Sequence, residues 1–392
     1  MTPHSAATPT LKIPISLIRG GTFYRVQEKA RLIRPHAWNL QRRIPLAIAV
    51  AWLPLVVLAA IYGSAADLGA LLVDYRVYAR VFIATPLLLV AQVTMETRFR
   101  AMAQHFLDAN IVRLDDLSRF RAIMQKTRRL RDAHLPELII VLLVFAQAAE
   151  VIASGRLRVA SWAVDTASNV LTPAGYYSMF VTLAVFLGLL LMALWKWAIW
   201  VSVLWRISRL NLRLDATNGD LNGGLGFLGE VPRAFVPLVL ALSTVIAANL
   251  RSQVLSGQLM LDALKLPAAV YVVLVVLIFF VPLALFTPAL LREKRDSTLS
   301  YGGLQHLLSL QFRQKWVQHR SEHLDELIGS PDLSSLADAS SCFKNVEQMA
   351  VYPFRKGAVV AFLAALVLPS IAVLTAEIPL KQIISQLFEA LR

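Results

Sequence analysis

Seven apolar runs divide this chain, and each is long enough to cross a bilayer: Ile44–Gly63, Val81–Arg98, Pro136–Ala153, Ser178–Val203, Phe235–Leu250, Pro267–Leu291 and Gly357–Ala376. A hydrocarbon core of about 30 Å takes roughly 20 mostly apolar helical residues, and a tilted or packed helix takes somewhat fewer. Hydrophobic residues make up 57% of the chain and charged residues 16%, so one soluble core built from these runs lacks polar residues to cover it. Lipid must be part of the solvent. The expected fold class is all-α: a polytopic transmembrane helix bundle of about seven spans with a small cytoplasmic helical subdomain.

A net charge of +14 invites a nucleic-acid reading, but the basic residues follow the runs and form no single surface. Lys12, Arg19, Arg25, Lys29, Arg31, Arg34, Arg42 and Arg43 precede the first run, opposed only by Glu28. In the next gap Asp67 and Asp74 cancel Arg76 and Arg80. Nine basic residues from Arg98 to Arg131 follow the second run, and the third gap carries only Arg156 and Arg158 against Asp165. Basic excess returns in the fourth gap (Arg206, Arg209, Arg213, Arg233), falls in the fifth, and returns with Arg292, Lys294 and Arg295. This alternation is the positive-inside pattern. It predicts a cytoplasmic N-terminus and, with an odd number of spans, a C-terminus outside. The first run begins too late for a cleavable signal peptide and is expected to be a retained anchor. The single Cys342 excludes an intramolecular disulfide, a thiolate zinc cluster and a CxxC pair.

The chain divides into four stretches. Residues 1–43 form a basic cytoplasmic segment with a Thr/Ser/Pro-rich start. Residues 44–291 form the membrane bundle of six spans, interrupted at 99–132 by one or two basic amphipathic cytoplasmic helices. Their apolar positions (Phe99, Met102, Phe106, Leu114, Leu117, Phe120, Ile123, Met124) recur mostly at spacings of three and four. Their basic face suits anionic headgroups, so lipid bilayer and anionic headgroups are expected partners. Residues 292–356 form a cytoplasmic helical subdomain, with a helix near Leu304–Leu327 broken by a Gly-Ser-Pro-Asp turn. Residues 357–392 hold the last span and an amphipathic tail, Ile378–Leu391. From Met179 to Leu210 there is no proline and only Gly188, so the fourth helix is expected to run beyond the bilayer. Trp195, Trp197, Trp200 and Trp205 suggest an interfacial belt there. Lys196 among them either snorkels to the interface or is a buried functional lysine. Pro54, Pro86, Pro237, Pro282, Pro288 and Pro369 permit kinks or broken helices.

Two polar stripes lie within spans. Glu150, Gln147 and Ser154 share a helical face on the third, while Thr85, Gln92 and Glu96 share one on the second. Intramembrane carboxylates often mark ion or proton paths, which makes Glu150, Gln147, Glu96 and Gln92 the candidate transport path. The alternative is interfacial pairing, Glu150 with Arg156 or Arg158 and Glu96 with Arg98 or Arg100. Gly224-Leu-Gly226-Phe-Leu-Gly229 spells GxGxxG, but it follows a membrane helix rather than a strand and has no acidic partner about twenty residues on. A glycine-rich loop at the inner interface fits better. His319-Arg-Ser-Glu322-His323 has the H-x-x-E-H spacing of inverted zinc peptidases, making His319 and His323 metal candidates without a convincing third ligand. Ser341-Cys-Phe-Lys344 fits SxxK without its companion motifs.

Leu194-Trp-Lys-Trp-Ala-Ile-Trp200, Ser208-Arg-Leu-Asn-Leu-Arg-Leu214, Gly223-Gly-Leu-Gly-Phe-Leu228 and Gly329-Ser-Pro-Asp-Leu-Ser-Ser-Leu-Ala-Asp338 occur in that order. The chain thereby resembles a family of uncharacterised bacterial polytopic inner-membrane proteins. Their pattern is a Trp/Arg-rich helix end, a His-Pro-Asp-x-x-Gly-Gly-Leu-Gly-Phe loop and a Ser-Leu-Ala-Asp element. Asn218 and Gly219 stand where the pattern has His-Pro, and Asp220 is kept. The resemblance implies a bacterial inner-membrane location and a shared fold, with no activity or cofactor. It draws attention to a cytoplasmic loop (Asp220, Gly223, Gly224, Gly226, Phe227) and a cytoplasmic element (Asp332, Ser335, Asp338). The functions weighed are a transporter or channel-like protein, a non-catalytic scaffold or regulatory subunit with a protein partner or second copy, and a metal enzyme at His319, Glu322 and His323.

Overall fold

In the computed structural model, which describes residues 28, 39–153, 162–165, 170–318 and 331–374, the chain is almost wholly helical. Seven helices among the described residues are long and apolar enough to cross a membrane. This is a multi-pass, all-α membrane protein. The membrane helices are α1 (Leu40–Tyr62), α3 (Tyr75–Asp108), α5 (His134–Ala153), α6 (Pro173–Ile207), α7 (Val236–Leu255), α8 (Leu261–Phe280) and α11 (Lys356–Val373). Between them lie α2 (Ala65–Val73) and α4 (Leu117–Asp132); α9 (Thr287–Phe312) and α10 (Pro331–Gln348) form a hairpin outside the bundle.

The second and fifth spans are the most buried, and the first and third are the least. An aromatic ladder ties the centre together. Trp200 meets Phe235 at 5.2 Å, Phe235 meets Phe279 at 5.0 Å, and Phe279 meets Phe362 at 5.3 Å. Trp200 is therefore a core residue, not part of an interfacial belt. Trp205 is exposed, with the Arg209 guanidinium over its ring. Leu114, expected on an apolar face, is 76% exposed because it begins a short 3-10 turn before α4.

Prolines set the irregularities, and neighbouring hydroxyls repair them. Pro54 has no N–H, so the Val50 carbonyl four residues back loses its helical donor. Tyr177 of α6 donates to that oxygen at 2.6 Å, and Thr182 donates to Ala51 O at 2.8 Å. An unsatisfied carbonyl in hydrocarbon is costly, so these bonds fix α6 against α1. Pro86 follows a π-helical turn at Ala79–Ala84, where Thr85 Oγ1 donates to Arg80 O. Pro237 opens α7 after a 3-10 run, Gly226–Phe235, and Thr94 Oγ1 donates to the adjacent Ala234 O. Pro282 and Pro369 lie in 3-10 turns and Pro288 in the first turn of α9.

The chain between 99 and 132 is two helical segments. Residue Asn110, at φ 51°, breaks α3 from α4, and α4 buries Phe120 and Met124 while Arg121, Lys126 and Arg129 stay exposed. The polar segment between α6 and α7 touches both this stretch and residues 292–356 at one end of the bundle. Arg213 N donates to Ile111 O, Asn345 Nδ2 to Thr217 O, and Ala350 N to Leu221 O. The tail Ile378–Leu391 and residues 1–27 lie outside the described residues.

Candidate functional site

The polar residues divide by which side of a helix they occupy. On α5, Ile140, Val144 and Ala148 are buried, while Gln147 and Glu150 point outward beside Leu142, Leu143 and Phe145. On α3, Gln92 and Glu96 are buried. The expected route through Glu150, Gln147, Glu96 and Gln92 is therefore not formed: two of the four are in the core and two are on the outside of the bundle. Spacing of three and four identifies residues that share a face, but packing decides where that face points.

Gln92 and Glu96 instead meet residues from other helices. Arg43, only 4% exposed at the start of α1, donates from Nη2 to Gln92 Oε1 at 2.9 Å. Glu96 Oε1 accepts from Arg100 Nη2 at 3.0 Å one turn along. Lys196 of α6 is partly buried, and the charges acting on it are Arg43, Glu96 and Glu137. Four helices thus contribute to one ionic centre. Gln92 Nε2 is buried with no acceptor among the described residues. Sequence reading missed Arg43 and Glu137, which look like flanking charges of α1 and α5; a Lys flanked by tryptophans inside a span was the available signal for Lys196.

Beside this centre a cleft of about 760 Å³ opens between α1, α5 and α6. Its walls are aliphatic and aromatic, and its polar lining is Arg43, His134 and Glu137. Gly188 of α6 faces it, and a Cβ there meets nothing within 4 Å.

The Asp220–Phe227 loop is built around one carboxylate. Asp220 Oδ1 accepts from Asn222 N at 2.8 Å and Gly224 N at 3.1 Å, and Oδ2 accepts from Gly226 N at 2.8 Å. Gly223 and Gly224 take φ +63° and +88°, which other residues adopt only with strain. Gly226 lies so close that a Cβ would be 3.0 Å from Asp220 Oδ2. Leu225 and Leu228 are fully buried, and Phe227 packs on His105 and Phe106 with ring centroids at 4.3 and 5.1 Å. Asn218 Oδ1 accepts from Asp220 N. The GxGxxG string is thus an internally satisfied turn, with no preceding strand.

In the hairpin, Asp332 accepts from Lys315 Nζ at 2.6 Å and Trp316 Nε1 at 3.1 Å, closing α10 onto the end of α9. Ser335 bonds back to Pro331 O, and Asp338 is exposed. Lys294 Nζ donates to Glu347 O and Met349 O, supplying a cation where the α10 carbonyls end. His319, Glu322 and His323 lie outside the described residues. No protein-family model, no curated protein and no solved structure matches this chain.

Proposed function

We propose that this protein is a membrane transporter of the bacterial cytoplasmic membrane, with its N-terminus in the cytoplasm and its C-terminus outside. The working centre in this reading is Arg43, Gln92, Glu96, Arg100, Glu137 and Lys196. One observation carries it: charged residues from four helices converge within the bundle, next to a cleft open at its side. Charges are costly in a bilayer and are characteristic of substrate and ion pathways. The three basic stretches gathered at one end of the bundle support the orientation. Reporter fusions after residue 165 and at residue 392 test it, since both are expected outside.

Transport is tested with purified protein in liposomes containing phosphatidylglycerol. An imposed potential drives protons, and an entrapped pH-sensitive dye follows them. Wild-type protein is expected to raise proton flux above that of empty liposomes, and Glu96→Gln or Lys196→Gln to remove the increase. Equal rates in all four preparations refute coupling through this centre.

A second reading, a non-catalytic scaffold or regulatory subunit, is favoured by the hairpin. Leu299, Leu307 and Leu310 on α9 are 79%, 59% and 47% exposed, beyond the charged stretch 292–296 where the chain leaves the apolar span. A stoichiometric partner lost on Leu299→Glu and Leu307→Glu, together with no flux from wild-type protein, would favour this reading.

A further inference from the structure

We infer that Arg80 of α3 is the binding site for one small monocarboxylate, held near the middle of the membrane. As a substrate site it rests on the transport reading above; the binding itself does not.

Arg80 is a cation without a counterion. In sequence Asp67 and Asp74 balance Arg76 and Arg80, but the fold commits both carboxylates elsewhere. Asp67 closes the cap of α2, accepting from Ser64 N at 2.9 Å and Ser64 Oγ at 2.7 Å. Asp74 accepts from Arg76 N, Nε and Nη2 at 3.0, 3.0 and 2.9 Å, and from Trp162 Nε1 at 3.2 Å. A carboxylate offers about four lone-pair sites, so Asp74 is fully used. The charges acting on Arg80 are Asp74 and Arg76, which already pair with each other. Arg80 Nε is buried with no acceptor, and no described residue accepts from its Nη1 or Nη2.

Depth makes this arrangement costly. Trp52 stands twelve residues after Leu40 and ten before Tyr62, at the middle of α1. Its ring meets those of Tyr78 and Phe82, on either side of Arg80 in the chain, at 5.0 and 5.4 Å. From that level the headgroups are about 15 Å away, half the hydrocarbon core and farther than an arginine side chain extends. An unpaired charge at such depth is characteristic of a substrate or ion pathway. There is room beside it. The π-helical turn Ala79–Ala84 packs on α7, α1 and α6, and Arg80 lies deep among them yet keeps some accessible surface. Such turns are frequent at functional sites.

The guanidinium names the ligand class. Its planar fork matches the two oxygens of a carboxylate better than a spherical halide, and its single surplus charge suits a monoanion. Three packed helices around it leave space only for a small one.

Formate is the probe. Delipidated protein in detergent is heated in sodium formate or sodium chloride at constant ionic strength, and tryptophan fluorescence follows unfolding. Formate is expected to raise the wild-type midpoint with one-site saturation, because it binds the folded chain. Arg80→Gln is expected to remove the rise. Arg80→Lys, which keeps the charge and loses the fork, should need about tenfold more formate for half the effect. Without formate, Arg80→Met is expected to unfold at the wild-type temperature or above, since it takes away a charge that has no partner.

A formate effect equal to that of chloride, or one that survives Arg80→Gln, overturns the inference. So does an Arg80→Met midpoint well below wild type without formate, which would make Arg80 a structural residue. Added phosphatidylglycerol that abolishes the formate effect would assign Arg80 to a lipid headgroup and overturn it as well. If wild-type protein passes no protons but responds to formate through Arg80, the transport reading falls and the anion site stands. If it passes protons and formate has no effect, the anion site falls and the transport reading stands.

Discussion

Replacing Asp220 by alanine is expected to be among the most damaging single substitutions outside the apolar core. The carboxylate holds three backbone amides, of Asn222, Gly224 and Gly226. Hydrogen bonds to a charged group contribute about 1.5–3 kcal/mol each, but the amides of partly exposed Asn222 and Gly224 regain water when the carboxylate goes. Their loss is then about 1 kcal/mol apiece. Gly226 is buried, and its orphaned N–H costs a further 1–3 kcal/mol, for a total of about 3–5 kcal/mol. Asp215→Ala is the internal reference: Asp215 is exposed and caps only Thr217, through its N–H and hydroxyl, so about 0.5–1 kcal/mol is expected. Tryptophan fluorescence during SDS titration of detergent-solubilised protein measures both, because Trp200 is buried in the core next to Phe235. If Asp220→Ala and Asp215→Ala unfold at the same SDS fraction, the loop is not organised by this carboxylate, and the reasoning fails.

Further expectations follow from other contacts. Gly229→Ala puts a Cβ 2.9 Å from the backbone of Phe354 and Arg355; a shift of that segment is required, and the same titration should show a loss of about 1–3 kcal/mol. Tyr177→Phe removes the donor to the Val50 carbonyl beside Pro54 and is expected to cost about 1 kcal/mol, in line with interhelical bonds in membranes; an unchanged unfolding midpoint would mean that carbonyl has another partner. Glu150→Leu, on the outward face of α5, is expected to leave stability unchanged or to raise it by up to about 3 kcal/mol, since a carboxylate facing lipid is unfavourable and leucine is not. A marked loss of stability there would show that Glu150 faces protein.

The spans were legible in sequence because crossing a bilayer is a demand on each helix by itself. Transfer from water sums residue by residue along a run, and a helix satisfies its own backbone, so the helices from Leu40–Tyr62 to Lys356–Val373 appear where the apolar runs are. The amphipathic α4 and the long helix ending at Ile207 were legible for the same local reason. Tertiary structure alone decided which way each polar side chain faces. Glu96 and Glu150 look alike in sequence, each a carboxylate on a polar stripe, yet one is buried against arginine and the other points outward. Arg43 and Glu137 read as flanking charges until the packing of α1, α3, α5 and α6 brought them to Gln92 and Lys196. The rotation of a helix about its axis depends on all of its neighbours, and hydropathy along one strand of sequence carries no record of them.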